Sequence, residues 1–167
     1  ILDTLMSKYQ TSYVLVRTQK HMILRKVAKI LTDDPNWNLV YWDDGQQIII
    51  KKDGKNDQIL QKFETQAATP YNRDPYRPGM EDQALKEYER MIEVVDSARS
   101  RNAIGYILLQ KKQYDEAKKQ FEKAIALEAN FESPYMNLAE LAFKDGDLNQ
   151  ALTLYKKAQK LAPDRGL

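Results

Sequence analysis

Residues 104–129 read IGYILLQKKQYDEAKKQFEKAIALEA, and residues 138–163 read LAELAFKDGDLNQALTLYKKAQKLAP. The second stretch repeats the first after about 34 residues, a period typical of arrays of paired helices. Each position keeps its size class, small with small and aromatic with aromatic. The matching pairs include Gly105 with Ala139, Ala117 with Ala151, Phe121 with Tyr155, and Ala124 with Ala158. The pattern therefore predicts two units that bury their apolar faces against each other.

The conserved sizes have a physical meaning. Two helices of a hairpin approach closely only where small residues cross, and Gly105 and Ala117 provide that approach in the first copy. Phe121 and Tyr155 then fill the space between adjacent hairpins, and Pro163 stands where the last helix ends. The spacing resembles the tetratricopeptide repeat, and the resemblance implies a superhelix whose members serve as binding scaffolds.

A partial third copy precedes the two full ones. Ala84, Tyr88 and Met91 align with Ala117, Phe121 and Ala124, whereas the prolines of residues 69–80 exclude a helix before them. We therefore expect a Pro-rich linker over 69–80 and a tetratricopeptide domain over 81–167, divided into a capping helix 81–96, a repeat 97–130 and a repeat 131–164.

Residues 1–68 predict a small α/β domain with the order α-β-α-β-β-α. Ile1, Leu2, Leu5, Met6 and Tyr9 share one helical face. A strand over 13–16, a helix over 20–32, strands over 37–42 and 47–52, and a helix over 56–66 follow. Asp43-Asp44-Gly45 is a hairpin-turn signal. The predicted class is thus α+β, an α/β unit followed by an all-α array of about two and a half repeats.

Composition narrows the possible functions. The chain has 26 basic and 24 acidic residues, a net charge of +2, no cysteine and one histidine. This balance argues against nucleic acid as a partner, and the missing cysteines exclude thiol catalysis and Cys-type zinc sites. We expect neither a metal nor another cofactor, and no insertion into a membrane, since no apolar run approaches a membrane span. The first residue is Ile1 rather than methionine, which predicts that the chain is part of a longer protein.

The first helix of each repeat should line a concave surface, which we call the predicted groove. By the resemblance, a protein or peptide partner would contact nine residues there: Arg99, Asn102, Tyr106, Leu109, Ser133, Met136, Asn137, Glu140 and Phe143. The family's clamp for a C-terminal carboxylate uses Lys and Asn at positions held here by Asn102 and Tyr106. That departure argues against binding of chaperone tails.

The N-terminal region carries a second resemblance. Residues 13–16, the helix after them, the strand and turn WNLVYWDD at 37–44, and QIIIKK at 47–52 resemble the soluble tail of multi-span membrane glycosyltransferases of the protein mannosyltransferase or aminoarabinose transferase type. The resemblance implies a non-catalytic C-terminal region on the extracytoplasmic side of a membrane. The alternative is a free-standing adaptor, which would be cytoplasmic.

An enzyme in its own right is the least favoured hypothesis. His21 has no second histidine or cysteine with which to share a metal, and Asp33-Asp34 and Asp43-Asp44 stand where turns require aspartate. No nucleophile, metal or phosphate constellation is recognisable, so no catalytic residue is predicted. The open C-terminal end of the array leaves a homo-oligomer as an alternative to a monomer.

Overall fold

The computed structural model of the protein describes residues 12–17, 22–69 and 74–162. The chain divides into two compact units, Ile1–Tyr76 and Arg77–Leu167. The described residues form three strands and seven helices: β1 (Tyr13–Arg17), α1 (Met22–Asp33), β2 (Trp37–Trp42), β3 (Gln46–Lys51), α2 (Asp57–Phe63), α3 (Glu81–Val94), α4 (Ala98–Gln110), α5 (Tyr114–Leu127), α6 (Glu132–Lys144) and α7 (Leu148–Leu161). The predicted α+β class is confirmed, although the helix predicted around residues 1–9 lies outside the described residues.

The first unit is built on an antiparallel sheet with the strand order β1-β3-β2. Asp43 holds the turn of the β2-β3 hairpin, because its Oδ1 accepts hydrogen bonds from the backbone N–H groups of Gly45 (2.7 Å) and Gln46 (2.8 Å). Aspartate stabilises turns in this way when its carboxylate accepts from N–H groups two or three residues later. The hairpin predicted from residues 43–45 is therefore present.

Apolar residues of both helices close the core of this unit. Val40, Ile50 and Leu60 form a buried cluster on which Ile48 and Phe63 also pack. Helix α1 contacts all three strands, and its Ala28 and Leu31 are buried. Burial of this kind supplies most of the stability of a small sheet.

Helix α2 is shorter than the sequence predicted. It ends at Phe63 rather than near Gln66. The backbone leaves the helix at Glu64, and the N–H of Thr65 donates to the carbonyl of Leu39 in β2 at 2.9 Å. A hydrogen bond to the sheet thus replaces the last helical turn.

The helices of the second unit pack in hairpins. α4 packs with α5, α6 packs with α7, and α3 packs on α4. Most of the repeated positions are buried, as the repeat predicted: Ala84, Tyr88 and Met91 in α3, Ala117, Phe121 and Ala124 in α5, and Ala151 and Ala158 in α7. Tyr155, which is equivalent to Phe121, is instead partly exposed, so it does not fill a core as the sequence predicted. Helix α3 therefore takes the place of the second helix of an incomplete repeat.

The turns inside the two hairpins adopt a left-handed backbone at equivalent positions. Gly146 has φ +83° in the second hairpin, and Lys112 has φ +61° in the first. Glycine adopts this conformation without steric cost, whereas the Cβ of lysine opposes it. The first turn therefore holds backbone strain that the second avoids.

Candidate functional site

The predicted groove lies on two neighbouring helices. Helices α4 and α6, the first helices of the two hairpins, contact each other. Each begins just after the preceding loop, and α4 starts at a cap in which Ser97 Oγ accepts the N–H of Ser100 at 3.2 Å. The nine residues of the predicted groove therefore lie on two helices whose positions are set by packing and not by loops.

Two asparagines join the first helices of the two hairpins. Nδ2 of Asn137 on α6 donates to Oδ1 of Asn102 on α4 at 2.9 Å, and both side chains are partly buried. A carboxamide has two N–H donors and a carbonyl oxygen with two lone pairs. The bond uses one donor of Asn137 and one lone pair of Asn102, so both amides retain polar groups that can bind a ligand.

Arg99 is held at the loop between the hairpins. Its Nη1 lies 3.1 Å from Oε2 of Glu128, and its guanidinium carbon lies 5.0 Å from the centroid of the Phe131 ring. An ion pair and a cation–π contact together restrict the side chain more than either alone. Arg99 therefore has a defined position at one end of the predicted groove, and the sequence pattern did not indicate either partner.

The remaining polar residues of the groove are partly exposed. Glu140 pairs with Lys144 one turn later at 3.4 Å, and Ser133 Oγ donates to Oε1 of Glu132 at 3.2 Å. Tyr106 and Met136 are also partly exposed and present apolar surface beside the asparagines. Because the acid is paired, this surface has little net charge.

Leu109 and Phe143 differ from the other members of the predicted groove. Leu109 is only 3% exposed because it packs inside the array, so it offers almost no surface to a ligand. Phe143 is 61% exposed at the end of α6. The prediction that Leu109 contacts a ligand in the groove is therefore wrong.

The acidic side chains considered as catalytic candidates form hydrogen bonds and ion pairs at turns and at a helix end. Asp33 pairs with Lys29 at 3.2 Å, and Asp34 Oδ1 accepts the backbone N–H of Asn36 at 2.8 Å. Asp43 holds the hairpin and also accepts the Tyr41 hydroxyl at 2.8 Å. His21 lies outside the described residues. Within residues 12–17, 22–69 and 74–162, no group of three His, Cys, Asp or Glu side chains is placed to hold a metal ion.

In the part of the chain that the structure describes, none of the helices combines the length and the apolar character required to cross a membrane.

Two of the solved structures to which the chain is similar each align with about half of it. A crystal structure of MamA is 19% identical, with 52% of this chain aligned to 52% of that one and a TM-score of 0.48. A structure described as MamA MSR-1 C2 is 24% identical, with 52% of this chain aligned to 50% of that one and a TM-score of 0.46. The similarity thus spans about half the length of each MamA chain. No curated protein matches the sequence. Residues 108–166, which include the whole second hairpin, match the sequence pattern of the family described as Tetratricopeptide repeat.

Proposed function

We propose that the chain is a non-catalytic protein-interaction module whose groove binds an extended peptide or a partner helix. The match of residues 108–166 to the tetratricopeptide repeat supports an interaction role, since repeat arrays present extended concave surfaces to their partners. The groove residues that carry the proposal are Asn102, Tyr106, Ser133, Met136, Asn137, Glu140 and Phe143, with Arg99 at one end.

The hydrogen bond between Asn102 and Asn137 is the observation that carries the proposal. It fixes two carboxamides side by side in a partly buried surface. A peptide backbone presents one N–H and one C=O for each residue, and carboxamides can pair with both. Tyr106 and Met136 add apolar surface for the ligand's side chains. The groove therefore has the chemistry to bind peptide backbone without requiring a charged ligand.

A pull-down with a surface-matched control would test this function. The purified chain would be incubated with its native lysate and envelope fraction beside a variant carrying Asn102→Ala, Tyr106→Ala and Asn137→Ala. The control variant carries Lys119→Ala and Glu122→Ala on the exposed side of α5. We expect a partner that binds the wild type and the control but is lost by the folded triple variant. Equal capture by all three proteins would exclude the groove as the binding surface.

Catalysis by the chain itself is the alternative that we do not favour. The carboxylates of Asp33, Asp34 and Asp43 are each used by a neighbouring lysine or by turn N–H groups. Such engagement supports a structural role for these acids. A ligand that binds beside Asp43 and is chemically changed there would overturn this view.

We further propose that the chain is the C-terminal region of a membrane glycosyltransferase. The hairpin whose turn Asp43 holds, followed by helical repeats, supports this proposal because it has the element order that the resemblance implies. Neither the matching family nor the two similar structures is described as a glycosyltransferase. Reading the gene upstream of Ile1 tests the proposal, since a run of membrane spans supports it and a short soluble start contradicts it in favour of a free adaptor.

A further inference from the structure

Strand β1 is the uncovered edge of the sheet in the first unit. The strand order β1-β3-β2 places β1 and β2 at the two edges. The backbone N–H of Thr65 donates to the carbonyl of Leu39 in β2 at 2.9 Å, so the chain after α2 covers part of that edge. Among the described residues, no strand lies on the outer side of β1. An edge strand of this kind is a template for pairing with another strand.

The backbone of β1 directs every second residue to this edge. The carbonyl of Ser12 accepts the N–H of Lys51 at 2.9 Å, and the register of the ladder places these two residues directly opposite each other. Hydrogen-bonded pairs alternate with non-bonded pairs along an antiparallel ladder. Every second residue after Ser12 therefore bonds to β3. The residues between them direct their N–H and C=O groups to the outer edge: Tyr13, Leu15 and Arg17.

These three residues also share one face of the sheet, because side chains alternate along a strand. Tyr13 is 65% exposed, Leu15 is 55% exposed, and Arg17 is exposed as well. Tyr13 and Leu15 lie opposite Ile50 and Ile48 of β3, which belong to the apolar cluster of this unit. The exposed side chains thus continue that cluster to the edge. The strand contains no lysine and no proline, the residues that most often block edge pairing.

The edge is complementary to itself. In an antiparallel pairing of two copies centred on Leu15, this residue lies opposite Leu15 of the partner subunit, and Tyr13 lies opposite Arg17 of the partner subunit. The outward-directed residues then pair only with each other, so each pair exchanges both of its backbone hydrogen bonds. The guanidinium of Arg17 can pack on the Tyr13 ring, and leucine meets leucine. The same register opposes no like charges.

The chain's own segments fit this edge less well than a second copy does. Residues 18–21 lead directly from β1 to α1 and are too few to add a strand. The apolar spacing of residues 1–9 predicts a helix, whose backbone groups bond internally and cannot pair with a strand. A segment beyond either end of the sequence, or a strand of a different protein, would compete for the edge, and the experiments below separate these occupants.

We propose that two copies of the chain dimerise through β1, which joins their sheets into one antiparallel sheet across a twofold axis at Leu15. The pairing satisfies the outward backbone groups and brings together the apolar surfaces beside Tyr13 and Leu15. Because the strand is short, the dimer is weak and its population depends on protein concentration. This surface is independent of the groove carried by Asn102 and Asn137.

Cysteine cross-linking of the full chain tests the register, because the sequence contains no cysteine. Residues directly opposite in a hydrogen-bonded pair have Cα atoms about 5.5 Å apart, within the range of a disulfide. Under mild oxidation, Leu15→Cys should form a covalent dimer, whereas Tyr13→Cys and Arg17→Cys should each form little. An equimolar mixture of the last two variants should form mixed dimers. Ile30→Cys, at a comparably exposed position of α1, measures the background.

Sedimentation velocity over a range of concentrations tests the association itself. The wild type should dimerise reversibly. Leu15→Lys and Leu15→Glu should each be monomeric, because like charges directly opposite destabilise a strand pair. An equimolar mixture of these two variants should dimerise again, a recovery that damage to the fold cannot produce. Ile30→Lys is the matched control and should dimerise like the wild type. Circular dichroism verifies that each variant is folded.

Four outcomes would overturn the proposal. The first is a wild type that remains monomeric at about 1 mM, and the second is a dimer that Leu15→Lys leaves intact. The third is equal cross-linking of Leu15→Cys and Ile30→Cys. The fourth is a Leu15 N–H equally protected from hydrogen exchange in dilute and concentrated samples, because the chain's own residues would then occupy the edge.

Discussion

A Cβ atom built on Gly105 would lie 2.5 Å from Cε1 of Phe121, much closer than carbon atoms pack. Gly105 belongs to α4, and Phe121 is fully buried on α5. The two helices of the first hairpin therefore lie so close together here that only glycine can occupy position 105 without a shift. In the second hairpin Ala139 stands at the position equivalent to Gly105, and Tyr155, the equivalent of Phe121, is partly exposed.

Substitution of Gly105 by alanine should destabilise the second unit. Although alanine favours a helix over glycine, its methyl group must displace the Phe121 ring within a filled core. We expect the free energy of unfolding to fall by about 1–3 kcal/mol, measured by urea denaturation. Adding Phe121→Leu to Gly105→Ala should cost less than the two single effects combined. A Gly105→Ala variant at least as stable as the wild type would contradict this close approach.

The strained turn at Lys112 predicts a stabilising substitution. Lys112→Gly removes a Cβ from a left-handed residue with φ +61°, and we expect a gain of about 1 kcal/mol in unfolding free energy. Gly146→Ala, at the equivalent turn, is the matched control and should lose a similar amount. No neighbouring atom lies within 4 Å of a Cβ built on Gly146, so the loss reports backbone conformation alone. A lower unfolding free energy in the Lys112→Gly variant would contradict the presence of backbone strain at Lys112.

The hydrogen bond between Asn102 and Asn137 predicts coupling between the two hairpins. In a double-mutant cycle with Asn102→Ala and Asn137→Ala, we expect an interaction energy of about 0.5–1.5 kcal/mol, the range for a partly buried neutral hydrogen bond. Chemical denaturation of the four proteins measures it. Asn102→Ala combined with Lys119→Ala on α5 is the control and should be additive. Additivity of the two asparagine substitutions would show that the bond contributes nothing to stability.

The environment of the Tyr41 hydroxyl predicts that the stability of the fold depends on pH in the alkaline range. Burial, the hydrogen bond to Asp43, and the charges of Asp43 and Asp44 all raise the pKa of Tyr41 above its ordinary value of 10.0. A raised pKa in the folded state stabilises the fold below the unfolded-state pKa, and this stabilisation is lost as pH rises toward the folded-state pKa. The wild type should therefore lose more stability than Tyr41→Phe between about pH 9 and about pH 11.

Denaturant midpoints at several pH values measure this difference. The same titration of a Tyr13→Phe variant is the control, because Tyr13 is 65% exposed. Equal losses for the wild type and Tyr41→Phe would mean that the hydroxyl titrates as it does in the unfolded chain.

The repeated positions were predictable because their environment repeats with the sequence. Ala117 and Ala151 are both buried at equivalent positions, and so their small size alone indicated close helix packing. The sequence could not predict the exposure of Phe143, because the repeat places Phe143 and the buried Leu109 at equivalent positions. Burial at that position depends on which helices pack around it, and the repeat pattern alone does not indicate this.

Other features depend on contacts that no local pattern encodes. Arg99 is held by Glu128 and Phe131 through contacts across about 30 residues of chain. The early end of α2 depends on the hydrogen bond from Thr65 to the carbonyl of Leu39 in a different strand. Sequence periodicity describes one element at a time, so it predicted the elements but not the bonds between them.

In-frame duplication of one hairpin would lengthen this array without unfolding it. The inserted copy would bury the same small positions, equivalent to Ala117 and Ala151, that the two present hairpins bury. Every intermediate length would have a packed core. An array of this kind can therefore change in length one hairpin at a time, because each hairpin packs only on its neighbours.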